Sequence, residues 1–188
     1  KLHNEVMPES VVAVARAGAG TNNIPTADFT DQGIVVFNTP GANANAVKEL
    51  IVASLLMGSR DIYGGMNYVQ GLTEITDSGE MGQLLEKEKK RFAGGEVQGK
   101  TLGVIGLGAI GSMIANLALE LGMDVVGYDP AISVEAAWQL SSNVERMDSI
   151  ESLLARSDFI TLHVPAIPAT KHLINSKTLS IMKSNAKI

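Results

Sequence analysis

Cysteine is absent from the 188 residues, which excludes disulfide bonds and thiolate metal sites and fits an intracellular protein without requiring one. A basic surplus is absent too. Fifteen Lys and Arg against 20 Asp and Glu leave a formal charge of −5, the opposite of what a nucleic-acid-binding face needs. The opening KLHNE carries no basic segment followed by an apolar run, so no secretory leader is expected and a cytoplasmic location is. No initiator Met is present, and Ala186-Lys187-Ile188 reads as the start of a further strand; both predict a chain truncated, or partly represented, at its two ends. Clusters of His and acids at metal-ligand spacing are also missing, and no metal site is expected. One uncharged stretch, Thr101 to Leu119, is long enough to suggest a membrane span, but four glycines, Ser112 and Asn116 interrupt it, and a buried strand and helix fit it better. What remains, 45% apolar and 19% charged residues, is the composition of a globular protein with a real core.

That stretch is the most informative part of the chain. An apolar run, Leu102 to Ile105, leads into Gly106, Gly108 and Gly111 at G-x-G-x-x-G spacing. Ile110, Met113, Ile114, Leu117 and Leu121 then recur on one face of a helix that Gly122 should stop. A second strand-like run, Val125 to Tyr128, ends at Asp129, eighteen residues beyond Gly111. Strand, glycine turn, helix, strand and acid in this order predict a dinucleotide site. The first glycine allows a tight turn, the second close approach of a pyrophosphate, and the third close helix packing. The helix start offers free N–H groups to the phosphates. Asp129 would accept from ribose hydroxyls and repel a 2′-phosphate, which favours NAD over NADP.

Elsewhere, Val11 to Ala15 reads as a buried strand followed by a loop, Arg16 to Asn23, at the edge where open α/β sheets bind ligands. Arg16 could engage a carboxylate or phosphate there, or stand as a solvated residue beside an ordinary turn. A short helix capped by Thr26 and stopped by Gly33, a strand from Ile34 to Phe37, and a long apolar helix from about Asn43 towards Ile62 should follow. That helix is apolar enough to predict burial against another domain or subunit. Tyr63 to Gly95 reads as an arm without a core of its own, and its Lys and Glu cluster from Leu84 to Phe92 as a solvated helix face. Further helices are expected at Val134 to Leu140, Ile150 to Ala155 and Lys177 to Met182, with a buried strand from Phe159 to Val164.

Five collinear stretches together resemble the D-isomer-specific 2-hydroxyacid dehydrogenase family: ARAGAGTNNIP, FNTPGANANAVKEL, GKTLGVIGLGAIG, VVGYDP and SDFITLHVPAIPATKHLIN. The resemblance is strongest to the branch that oxidises 3-phosphoglycerate and spans nearly the entire chain. It implies a Rossmann doubly wound parallel sheet inserted into a flavodoxin-like α/β substrate domain that is only partly present. Residues 1–42 would belong to the substrate domain, with Asn38 to Asn43 as a hinge. Residues 43–188 would form the NAD-binding domain, including a dimerisation helix and arm over about 43–95. By the same resemblance Ala19, Gly106, Gly108, Ala109, Ile110, Gly111, Asp129 and Val164 would line the cofactor, and Arg16, Ala17, Gly18 and Asn43 the substrate.

The family's catalytic set is an Arg that holds the substrate and a Glu-paired His that moves the hydroxyl proton. By resemblance all three would lie beyond Ile188, so no catalytic residue is expected here and the 188-residue chain alone is expected to be inactive. His163 is a tempting substitute, but its HVP context fits a cofactor-pocket or structural role; His3 and His172 lack an acid partner at recognisable spacing. The implied activity is NAD-dependent oxidation of a small 2-hydroxy acid, with 3-phospho-D-glycerate and L-serine biosynthesis foremost. Reduction of glyoxylate, hydroxypyruvate or a D-lactate analogue is the alternative within the family. An NAD-responsive interaction scaffold is the alternative outside enzymology.

Overall fold

In the computed structural model, which describes residues 2–188, β1 (Ala13–Arg16) and β2 (Val35–Asn38) pair in parallel around the connecting helix α1 (Thr26–Asp31). Ile24, Phe29 and Ile34 form a small core against Val14 and Val36. The expected burial of the first strand is only half realised. One helix covers one face of the pair, so Val14 and Val36 turn inward while Val35 and Phe37 are left 52% and 58% exposed. Thr26 does not cap α1. It lies inside the first turn, after Pro25, and no side chain caps the helix. Gly33 ends it as expected, at φ +72° with its N–H on Thr30 O at 3.0 Å.

The expected long apolar helix is present as one element, and a second helix opens the arm that follows it. α2 (Ala44–Ser59) stops because Arg60 is extended, and α3 (Ile62–Gln70) restarts where the Asp61 carboxylate accepts from Gly64 N–H. Ala44 and Leu55 are the buried residues of α2, and Leu50 is 68% exposed. α4 (Ser78–Glu88), capped by Asp77, and a 3-10 turn over Lys89–Phe92 complete an arm in which no residue of either helix is buried. Its charged cluster is a solvated face, with Lys89 on Glu86 and Arg91 on Glu88. Arg91 also lies over the rings of Tyr68 and Phe92, at 5.4 and 5.6 Å, and ties the arm together.

The second sheet contains β3 (Thr101–Ile105), β4 (Asp124–Tyr128), β5 (Glu145–Arg146) and β6 (Phe159–Leu162), all parallel, in the order β5-β4-β3-β6. Between and after them run α5 (Ala109–Glu120), α6 (Val134–Gln139), α7 (Ile150–Arg156) and α8 (Ser176–Ile181). Lys187 bridges Phe159 in parallel, as a further strand beside β6 would. β5 has no counterpart among the expected strands. Its two exposed polar residues pair only through backbone, braced by Arg156 bonding both oxygens of Glu145.

Alternation along β3 divides the core in two. Leu102 and Val104 face Leu55 of α2 and Ile114, Ala115 and Ala118 of α5, while Ile105 faces Leu153 and Leu154 of α7. The buried face of α5 is not the expected stripe of large residues. Gly111, Ser112, Ile114, Ala115 and Ala118 are buried, and Ile110, Met113, Leu117 and Leu121 flank them. Small side chains let the helix axis approach the sheet, so the contact face is marked by Gly and Ala and the larger residues fill its margins. Gly122 closes α5 at φ +75°, with its N–H on Leu119 O and Met123 N–H on Ala118 O.

Candidate cofactor and substrate site

β3 and β6 are neighbours, but β3 leads into a helix that returns to β4 on its other side. The crevice beyond their C-terminal ends is therefore the point where an open sheet binds ligands. Gly106, Gly108 and Gly111 stand there, and each is required differently. Gly106 has φ +91°, and a Cβ on it would lie 2.7 Å from His163 O. A Cβ on Gly111 would lie 1.9 Å from Gly106 O, closer than any packing allows. Gly108 has nothing within 4 Å of the same position and is exposed. The first and third glycines thus serve the turn itself, and the second presents bare backbone to open space at the start of α5. Ala109 is exposed beside it and Ile110 half-buried. With Gly111 they contribute the N–H groups that precede the helix's own hydrogen bonds, which begin with Ser112 N–H on Gly108 O at 2.9 Å.

Asp129 directly follows β4 and faces this turn. One carboxylate oxygen accepts from Leu107 N–H at 2.8 Å and the other from Ala131 N–H at 2.9 Å. Each retains a lone pair for a ribose hydroxyl. Val164 closes the opposite wall, its Cγ1 3.0 Å from where a Cβ on Gly106 would be. His163 N–H continues the β3 ladder to Ile105 O, and its ring Nε2 pairs with Thr161 Oγ1 at 2.9 Å. Burial pushes its imidazole below the usual histidine range, so it stays neutral near pH 7. Its partner is a hydroxyl, where a catalytic histidine paired with an acid would need a carboxylate.

The second group of expected residues lies at the C-terminal ends of β1 and β2. Arg16 curls back over Gly18 and Gly20, which leave room for its guanidinium, and its Nη1 donates to Asn23 Oδ1 at 2.8 Å. Among the described residues it forms no salt bridge, so its charge is held by a neutral amide and stays free to meet an anion. Gly18 N–H donates to Thr39 Oγ1 at 2.7 Å, Thr39 N–H to Gly18 O at 3.1 Å, and Asn38 Nδ2 to Ala19 O at 2.8 Å. Ala17 and Ala19 are exposed, as is Asn43, which precedes α2 without a side-chain capping bond. Among the described residues no hydrogen bond or ion pair joins this loop to the glycine turn. Sequence reasoning missed Asn23, Asn38 and Thr39 as the residues that shape it; a run of amide and hydroxyl side chains flanking a glycine-rich loop was the available signal.

The NAD-binding domain model of the D-isomer-specific 2-hydroxyacid dehydrogenases matches residues 64–188. The chain belongs to this family. Among family relatives, a D-3-phosphoglycerate dehydrogenase of Methanocaldococcus jannaschii is 42% identical over 96% of the chain and 32% of its own length. A hydroxypyruvate reductase of Thermotoga maritima is 39% identical over 93% of the chain and 51% of its own length. The D-lactate dehydrogenase of Aquifex aeolicus, solved with NAD and lactic acid, superposes with a TM-score of 0.70 at 28% identity, covering 91% of this chain and 46% of that one. This chain therefore spans a third to a half of the length of these 2-hydroxyacid dehydrogenases. Its glycine turn, the open backbone at Gly108 and the facing Asp129 fit the NAD for which the family's domain is named.

Proposed function

We propose that this chain binds NAD for the oxidation of a small 2-hydroxy acid, and that the acid is 3-phospho-D-glycerate, converted to 3-phosphohydroxypyruvate for L-serine synthesis. The observation that carries the cofactor reading is the exposed Gly108 backbone at the start of α5, with Asp129 across the turn. Gly108, Ala109, Ile110 and Gly111 would donate to the pyrophosphate, Asp129 would accept from the adenine ribose, and Val164 and Ala19 would bound the nicotinamide end. NAD supplies the hydride acceptor. Arg16, uncompensated among the described residues, with the Ala17 and Gly18 backbone and Asn43, would hold the substrate's anionic end. Residues 1–42 serve the substrate and 43–188 the cofactor in this reading, in the cytoplasm, where no helix long and apolar enough to cross a membrane is needed or found among the described residues.

Relatives named D-3-phosphoglycerate dehydrogenase, at 42% and 40% identity, favour phosphoglycerate; the hydroxypyruvate reductase at 39% keeps the smaller 2-oxo acid as the second reading. A homodimer formed by α2 and α3 completes the proposal. Leu50, Met57, Tyr63, Met66 and Val69 are each half exposed or more on these helices, an apolar surface that a second copy would cover. The test is NADH absorbance on mixing the full-length protein, rather than the 188-residue chain expected to be inactive alone, with NAD and a panel of 2-hydroxy acids. Turnover with 3-phosphoglycerate above all others is expected. Binding of NAD with no reduction by any member of the panel would refute the enzymatic reading.

A further inference from the structure

β4 leaves the sheet at Tyr128, whose carbonyl accepts from Gly106 N–H at 2.9 Å, and Pro130 prevents the strand from continuing. The next acceptor in that line is a side chain. Asp129 takes Leu107 N–H at 2.8 Å, one rung further into the glycine turn. Its other oxygen is tied to Ala131 N–H at 2.9 Å, which fixes the carboxylate across Pro130. Leu107 is held from its other end as well: its side chain is buried in the core and lies against Gly127 of β4, where a Cβ would meet Cδ1 at 3.0 Å. The residue between the first two glycines is thus gripped by its amide from Asp129, just past β4, and by its side chain from β4 itself.

We propose that Asp129 is a positioning residue for the glycine turn. It sets the backbone that receives the pyrophosphate before any nucleotide arrives, in addition to accepting from the ribose. The role rests on the cofactor reading above but makes its own demand. An acid at this place would repel a 2′-phosphate and holds the phosphate cradle through the one oxygen that accepts from Leu107, so a substitution chosen to admit NADP would loosen the cradle unless it keeps that acceptor. The isosteric substitution Asp129→Asn serves only one of the two amides, because the amino group it introduces would face the other as a second donor.

The experiment compares wild-type protein with Asp129→Ala and Asp129→Asn, first without ligand by hydrogen exchange at the Leu107 amide, with Val104 in β3 as control. It then compares binding of ADP and of 2′,3′-dideoxy-ADP, which keeps the pyrophosphate and lacks the ribose hydroxyls. In Asp129→Ala, Leu107 exchange should rise about tenfold with Val104 unchanged, and dideoxy-ADP should bind about tenfold more weakly, as expected for loss of a hydrogen bond to a charged group. Asp129→Asn should fall between. If Asp129→Ala fails to fold, Asp129→Asn carries both readouts. A residue acting through ribose hydroxyls alone would leave Leu107 exchange and dideoxy-ADP affinity unchanged, and either result overturns the proposal. If wild-type protein binds neither nucleotide, the cofactor reading fails, and exchange at Leu107 alone decides the positioning role.

Discussion

At the scale of single residues, the three glycines of the turn separate into two kinds. Gly111→Ala puts a methyl group 1.9 Å from Gly106 O, so the helix must move off the sheet. A destabilisation of about 1–3 kcal/mol is expected, measured by urea unfolding. Gly108→Ala meets open space at an ordinary φ of −67° and should cost under about 1 kcal/mol in the same assay. If the phosphates approach Gly108 as proposed, its methyl group would stand in their way and NAD affinity should fall about tenfold by titration calorimetry, the loss of roughly one hydrogen bond. Equal effects of the two substitutions on stability would contradict this division.

His163 supplies the second residue-scale prediction. Burial lowers its folded pKa, so the unfolded chain takes up a proton that the folded chain resists. Its contribution to stability is complete above the ordinary histidine value of about 6.5 and is lost as pH falls through the lower folded value. His163→Asn should flatten the unfolding free energy as pH falls below about 6.5, and an unchanged slope would count against the burial argument.

At the scale of elements, Asp158 joins β3, β6 and the segment after α8. Burial raises its carboxyl pKa, but the Thr101 N–H at 2.9 Å, the Lys183 ammonium at 2.9 Å and the Lys100 charge together bring it below the usual carboxylate range. The depressed value places its stabilisation above about pH 4, with loss as pH falls further through the folded pKa. Asp158→Ala leaves the Thr101 N–H and Lys183 without their partner and should cost about 2 kcal/mol at pH 7, with a smaller difference from wild type at pH 3. Differential unfolding at the two pH values measures it.

Element identity is legible in the sequence where periodicity and glycine chemistry agree: β3, α5, β4, α7 and β6 lie where the apolar runs place them, within a residue or two. Departures arise where local rules are silent. α3 forms in a stretch read only as an arm, where Gly64 and Gly65 blur the helical pattern and Asp61 supplies the cap. β5 carries no apolar signal because its pairing is entirely backbone. The packed face of α5 departs from the apolar stripe because close approach to the sheet selects small side chains over large ones.

At the scale of the whole molecule, α2 contributes Leu55 to the core of the second sheet, while α3 and the outer side of α2 present apolar residues outward. Met66→Glu combined with Val69→Glu, both exposed in a single copy, should leave the thermal stability of that copy within about 0.5 kcal/mol and halve the mass seen by sedimentation. An unchanged mass would place any self-association elsewhere.

The sequence alone determined the chain's family and cofactor chemistry, because a dinucleotide turn is local: three glycines, a helix start and an acid at fixed spacing lie within about thirty residues. It also marked the Arg16 loop, though not what holds it. Only the tertiary structure decided how each glycine is used, that Asp129 grips Leu107, that His163 is paired with a hydroxyl, and that Arg16 is oriented by an amide. The glycine clashes and the grip on Leu107 join separate elements, and the His163 and Arg16 pairings depend on how each side chain is turned. Their geometry comes from sheet register and helix approach, which side-chain type and spacing do not encode one residue at a time.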